Sequence, residues 1–260
     1  MPYFSDPAAG GAALAWTNIL DVDLTLEPTV DYIAGGDGLK DLDGDVIYKA
    51  GNTAAADVFG PTLGTGLVMS PSTASTTYYA PAARTAPIFA VPLEDVDPTY
   101  DPGKHLVQVW GHITAITVGA NYDYVSFGFE GFEFTARGIQ ATMYLAYNSG
   151  KYWRMRCGEV ETDRFDVTYA GSPDVFLVRQ ISHSTFSFYV GVYTTDFPLI
   201  ADMTYIATLE VARIAGANFR VFQKSELAFA MSVASQNGVG GASATLERLK
   251  IDRLDYRPGG

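Results

Sequence analysis

Three carboxylates alternate with uncharged residues along Glu159-Val160-Glu161-Thr162-Asp163. On an extended strand, side chains two apart point the same way about 6 to 7 Å from one another, so this run would present a carboxylate row on one face. Paired carboxyl groups are the machinery of glycoside hydrolysis. A retaining enzyme sets its nucleophile and its proton donor about 5 to 5.5 Å apart. The plainer reading is a solvated acidic strand face, and it is preferred. Glu159, Glu161 and Asp163 go forward as the only catalytic candidates.

A second acidic group, Asp41, Asp43 and Asp45, sits in a glycine-rich turn segment. Several carboxylates on a tight turn suit a hard cation, and calcium is the one cofactor this pattern suggests. Gly44 stands out of place for a calcium loop and no Glu closes it, so an acidic surface turn is the plainer reading. His105, His112 and His183 are scattered without ligand spacing, and each reads as a surface or satisfied histidine. Cys157 is the single cysteine, which excludes an intrachain disulfide and a multi-cysteine metal site. Neither a Gly-x-Ser-x-Gly elbow nor a phosphate-cradling loop occurs.

Aromatic rings are the other chemistry on offer, because flat amphipathic rings stack on sugar faces and fill protein interfaces. Tyr144, Trp153, Tyr189 and Tyr193 are taken as ligand-binding candidates, with many of the remaining aromatics assigned to core.

The elements that position these residues are strands. Asp174–Arg179 and Thr185–Tyr193 read as an antiparallel hairpin with a five-residue loop, Gln180 to Ser184. Phe186, Phe188, Val190 and Val192 share its inner face; Ser187, Tyr189, Gly191 and Tyr193 share the outer one. Leu20, Val22, Leu24 and Leu26 alternate with polar residues in a first strand ended by Pro28. Strands are also expected at 46–48, 66–69, 78–79, 88–91, 106–118, 122–134, 142–147, 152–160, 204–214, 219–222 and 227–233. The closing stretch 244–256 could be helical by spacing, and a strand is preferred for it. Short strands recurring between Gly and Asn turns predict an all-β, antiparallel β-sandwich. Residues 1–15, rich in Pro, Ala and Gly, are expected to form an extended arm that lies on a neighbour, and 16–260 a single sandwich domain.

Of the 260 residues 48% are apolar, enough for a large core, and the formal net charge is −12. That charge argues against nucleic acid and against an anionic membrane as partners. The first residues lack a secretory signal pattern and no apolar run is long enough to span a bilayer, so synthesis in a host cytoplasm is expected.

Val175-Phe176-Leu177-Val178-Arg179 followed by Thr185-Phe186-Ser187-Phe188-Tyr189 resembles a strand pair of the concanavalin A-like lectin and glucanase superfamily, laminin-G-like domains included. In that pair an Arg ends the first strand and aromatics fill the second. Asp43–Tyr48, Gly66–Met69 and the terminal 244–256 stretch add to the likeness, which spans roughly residues 16 to 257. The resemblance implies a jelly-roll sandwich, a scaffold that carries lectins, hydrolases, lyases and virion appendages alike. The glucanase branch carries Glu-x-Asp-x-Glu or Glu-x-Asp-x-x-Glu on its catalytic strand; here Glu161 replaces the central Asp and Asp163 the terminal Glu.

Three functions are ranked on this basis. First comes a non-enzymatic virion structural protein, a phage capsid decoration protein or a head or tail fibre component. It would be partnered by capsid or tail proteins of the same particle and would form a homo-oligomer, a trimer by preference. A carbohydrate-binding module or receptor-binding fibre domain that recognises host polysaccharide is second. A glycoside hydrolase or lyase is third.

Overall fold

A computed structural model describes residues 15–26, 38–42, 46–51, 58–71, 88–119, 123–131, 140–147, 151–157, 160–161, 165–166, 173–182, 184–210, 227–235 and 241–255. Strands dominate them: β1 (Thr17–Asp23), β2 (Gly38–Leu42), β3 (Val46–Gly51), β4 (Val58–Thr62), β5 (Gly66–Ser70) and β6 (Ile88–Pro92) come first. After the one-turn helix α1 (Leu93–Val96) come β7 (His105–Thr117), β8 (Asp123–Gly131), β9 (Gln140–Tyr147) and β10 (Lys151–Cys157). The series continues with β11 (Val160–Glu161), β12 (Phe165–Asp166), β13 (Val175–Ser182), β14 (Thr185–Gly191), β15 (Thr204–Glu210), β16 (Leu227–Ser235) and β17 (Ser243–Asp255).

Two antiparallel sheets result. The first runs β15-β14-β13-β7-β17-β5-β4, and β1 also pairs with β17; the second runs β11-β10-β9-β8-β16-β6-β3-β2, with β12 also on β10. β17 is the hinge of the first sheet. One of its edges takes β7 along most of its length, and the other takes β5 at Ala244–Leu246 and β1 at Arg248–Arg253. The closing stretch is therefore a strand, as its alternating Leu249 and Ile251 require, although bulges between Ser243 and Thr245 and between Leu246 and Arg248 shift the phase of the alternation.

The core lies between the sheets, where Phe127 meets Phe176 at 6.3 Å and Phe129 meets Phe186 at 6.1 Å across the layers. Gly111 in β7 lets the layers approach: a Cβ there would lie 2.4 Å from Cε2 of Phe127. No helix among the described residues is long and apolar enough to cross a membrane.

The hairpin departs from expectation in two places. β13 runs on to Ser182 and β14 starts at Thr185, so the loop is shorter than five residues. Gln180, read as loop, is 1% exposed because its Oε1 accepts the Val107 amide at 3.2 Å. Phe186, Phe188 and Val190 are buried in the core, but Val192 is 58% exposed, because β14 ends at Gly191 and the alternation ends with it. The expected strands at 78–79 and 219–222, and the arm except for residue 15, lie outside the described residues.

Candidate functional site: the outer face of the first sheet

Register sets the composition of the face turned away from the core. Residues directly opposite one another share a face, and one row runs Tyr205, Tyr189, Leu177, Trp110, Lys250, Asp21 across six strands. At roughly 4.8 Å per strand it spans about 24 Å. A neighbouring row runs Thr208, Ser187, Arg179, Gln108, Asp252, Asn18, and another runs Gly191, Val175, His112, Arg248, Asp23.

The polar row is tied down by hydrogen bonds. Asp252, 4% exposed, accepts Gln108 Nε2 at 2.8 Å and Trp110 Nε1 at 3.0 Å on Oδ2, and Asn18 Nδ2 at 3.2 Å on Oδ1. Ser187 and Thr208 share a hydroxyl contact of 2.7 Å. A carboxylate this well supplied with donors is held in place.

The segment after β14 folds back over the third row. Tyr193, Phe197, Ile200 and Met203 pack with Tyr189 on Trp110, Val175 and Leu177, a cluster distinct from the main core. The Tyr193 amide donates to Asp174 Oδ1 at 2.7 Å, and its ring lies on the His112 imidazole with centroids 4.0 Å apart and planes 11° apart. His112 is 8% exposed and sits between Glu247 Oε2 at 3.3 Å and Asp174 Oδ2 at 3.7 Å. Arg248 closes the other side. It forks onto Asp21 with two bonds of 2.8 Å, and Nη1 donates to Tyr193 Oη at 3.0 Å and Asp196 Oδ1 at 2.9 Å. The hydrogen bonds to Asp21 raise the Arg248 guanidinium further above its ordinary value, against the smaller cost of burial.

What stays open is the β14–β15 end. Tyr205 is 54% exposed and meets the half-buried Tyr189 edge to face at 5.6 Å, with its hydroxyl donating to Thr208 Oγ1 at 3.0 Å. Val192 and Leu199 lie exposed on the adjoining segment.

Of the residues singled out from the sequence, Tyr189 and Tyr193 thus lie on one face, one beside the open strip and the other in the fold-back segment. Tyr144 and Trp153 belong to the other sheet, Tyr144 opposite Ser126 and Arg154, Trp153 opposite Leu145 and Phe165. The structure does not bring those two pairs together in one sheet. Glu161 is in β11 opposite Arg156, while Glu159 and Asp163 lie outside the described residues. Asp41 is in β2 opposite Ile47; Asp43 and Asp45 lie outside the described residues. No group of three His, Cys, Asp or Glu side chains placed to hold a metal occurs among the described residues.

Sequence reading missed Trp110, Phe197, Tyr205, Arg248 and Asp252. A signal for some of them existed: Gln108, Trp110 and His112 alternate with Val107, Val109 and Gly111, a polar and aromatic phase opposite an apolar one. Nothing local announces Arg248, whose partner Asp21 is 227 residues away.

No family model matches the sequence, and no curated protein matches it either. Solved structures do. The carbohydrate recognition domain of Emp47p is similar at TM-score 0.50 and 10% identity, over 95% of this chain and 100% of that one. The CBM2 module of the evolved Dit of Lactobacillus casei BL23 phage J-1 is similar at TM-score 0.49 and 11% identity, over 95% and 99%. Lectin UEA-II, solved with galactose, is similar at TM-score 0.43 and 7% identity, over 80% and 92%. At these identities the likeness is one of fold: the chain is an antiparallel, lectin-like jelly-roll sandwich.

Proposed function

We propose that this chain is a non-catalytic carbohydrate-binding domain of the concanavalin A-like type, which reads a polysaccharide along the Tyr189–Tyr205 end of the first sheet's outer face. The observation that carries it is the Tyr205 ring, more than half exposed, backed edge to face by Tyr189 and flanked by the hydroxyl of Thr208. A ring so supported loses little freedom on meeting a sugar face, and a hydroxyl beside it can bond a sugar hydroxyl. The carboxylates of this face favour binding over hydrolysis, since Asp252, Asp21 and Asp174 are already engaged as acceptors. The fold is one shared with a carbohydrate recognition domain.

The test is native affinity electrophoresis of the protein through gels containing bacterial polysaccharides, with a glycan array in parallel. Tyr205→Ala should weaken retention roughly three- to tenfold, the scale of one aromatic contact, with an unchanged melting temperature. A blank array, or retention that Tyr205→Ala leaves intact, rejects the proposal.

A second reading, a virion decoration or fibre protein docked on capsid or tail proteins as a trimer, is favoured by one observation. Val192, Leu199 and Tyr205, at 58%, 73% and 54% exposure, belong to a single stretch of chain that leaves large apolar side chains in water. Light scattering that finds a stable monomer, together with no binding to intact particles, removes it.

A further inference from the structure

Two cations of the outer face have carboxylates of their own. Arg248 forks onto Asp21 and reaches Asp196, and Lys250 stands 3.7 Å from Asp252. Arg179 has none. It lies inside β13, opposite Gln108 on one side and Ser187 on the other, and among the described residues no hydrogen bond or ion pair engages its guanidinium. Gln108 gives its Nε2 to Asp252, and its Oε1 takes no bond. Asp252 itself is two strands away in the same row, about 10 Å by strand spacing, and already accepts from Gln108, Trp110 and Asn18. Glu210 is two strands away on the other side, where it accepts the Ser184 hydroxyl at 3.4 Å.

The Arg179 guanidinium is nonetheless held in one orientation. Its Cζ lies 5.0 Å from the centroid of the Trp16 ring, and its Nε is enclosed. An aromatic ring takes the flat face of a guanidinium and leaves the N–H groups of its edge free. The two Nη atoms are not enclosed as Nε is, and they keep their contact with solvent. A fixed fork of donors without an acceptor matches a planar carboxylate, which takes two parallel bonds from it. With Lys250 and Arg248 already paired, the position suits a group of one negative charge rather than a phosphate dianion. The fork also lies beside the strip. Ser187, opposite Arg179, precedes Tyr189 by two residues on the same face, a diagonal spacing of about 7 to 8 Å.

We infer that the polysaccharide read by the Tyr189–Tyr205 strip is an acidic one, and that Arg179 selects it by pairing its Nη edge with the carboxylate of a uronic acid while Tyr205 meets the face of a sugar ring. The inference rests on the carbohydrate reading and adds the charge of the ligand. The formal charge of −12 opposes a polyanion at long range. At about 0.15 M salt the Debye length is about 8 Å, so distant carboxylates are screened, while a half-buried pair in contact is screened far less.

Affinity electrophoresis of the full chain at about 0.15 M salt compares polygalacturonate, alginate and hyaluronan with the same polymers after reduction of their carboxyl groups to alcohols, and with neutral dextran and galactomannan. At least one acidic polymer should be retained, and its reduction should weaken retention of the wild-type protein about ten- to hundredfold, the scale of hydrogen bonds to a charged group. Arg179→Gln should lose the same factor on the acidic polymer and nothing further on the reduced one, so that the variant no longer distinguishes the two. Arg179→Lys, which keeps the charge and loses the fork, should fall between wild type and Arg179→Gln. The comparison of acidic with reduced polymer needs no variant and stands if either variant folds poorly. Reduced or neutral polymers retained as strongly as the acidic ones overturn the inference and leave the carbohydrate reading in place. Folded Arg179→Gln that keeps the preference for the acidic polymer also overturns it, and retention of no polymer at all overturns both.

Discussion

The ring and the hydroxyl of Tyr193 act separately. The ring lies on His112; the hydroxyl accepts from Arg248, the guanidinium that also holds Asp21 and Asp196, and donates to the exposed Thr195 carbonyl at 3.3 Å. Tyr193→Phe keeps the first and deletes the second. It is expected to lower stability by about 1 kcal/mol, measured as a shift in urea midpoint at unchanged slope, because Arg248 keeps its carboxylates and loses one neutral acceptor. Tyr189 was legible as an outer-face residue from period two alone, whereas Tyr193 lies past the end of β14 and reaches that face through the segment that packs back on it. The division of labour between them was not legible, since it depends on His112 of β7 and Arg248 of β17, each far from Tyr193 in sequence. His112 itself, set aside as a satisfied histidine on its isolation in sequence, is found between two carboxylates under that ring.

At the scale of elements, the hairpin β13–β14 shows where alternation is informative and where it stops. Phe186, Phe188 and Val190 occupy the core because an uninterrupted strand must repeat every second residue. Gln180 escaped because a polar side chain in a strand is indistinguishable from a loop residue until the Val107 amide it satisfies is seen. In the second sheet β8 depends on a glycine. Gly128 has φ +148°, and a Cβ there would stand 2.2 Å from the Ala141 carbonyl oxygen on β9. Gly128→Ala must push β8 and β9 apart or strain the backbone. A loss of at least about 2 kcal/mol is expected, seen as a lower urea midpoint or a lower soluble yield.

At the scale of the whole molecule, His105 and Asp97 are acid-sensitive anchors at one end of the sandwich. Burial lowers the His105 pKa below its ordinary value, Arg253 reinforces this, and Asp255, Asp97 and Asp101 oppose it. Protonation also removes the Nδ1 lone pair that accepts the Asp101 amide. A histidine whose folded pKa is depressed contributes stability that is full above about pH 6.5 and is lost as pH falls towards the folded value. Burial raises the Asp97 carboxyl, yet hydrogen bonds from the Thr99 hydroxyl and amide and from Arg253 outweigh it, and the net shift is downward. Its contribution is full above about pH 3.9 and fails on further acidification. Melting temperature should therefore decline from pH 7 to pH 5, and His105→Asn, whose Oδ1 can take over the Asp101 amide, should flatten that decline. An equal slope in the variant would assign the acid sensitivity to other groups.

Taken by itself, the sequence determined that this is an all-β antiparallel sandwich and which phase of its best strands faces inward. Burial of apolar residues at period two is a local property that needs no knowledge of partners. It also carried a resemblance to lectin-like jelly rolls that the fold bears out. Only the tertiary structure decided which outward residues remain open. Strand register puts Tyr205 beside Tyr189, the stretch from Tyr193 to Met203 packs on Trp110, and Arg248 binds Asp21 across 227 residues. Those pairings follow from the order of strands in the sheet, which period two cannot encode, because a strand pattern states which face is buried and leaves open the identity of its neighbour.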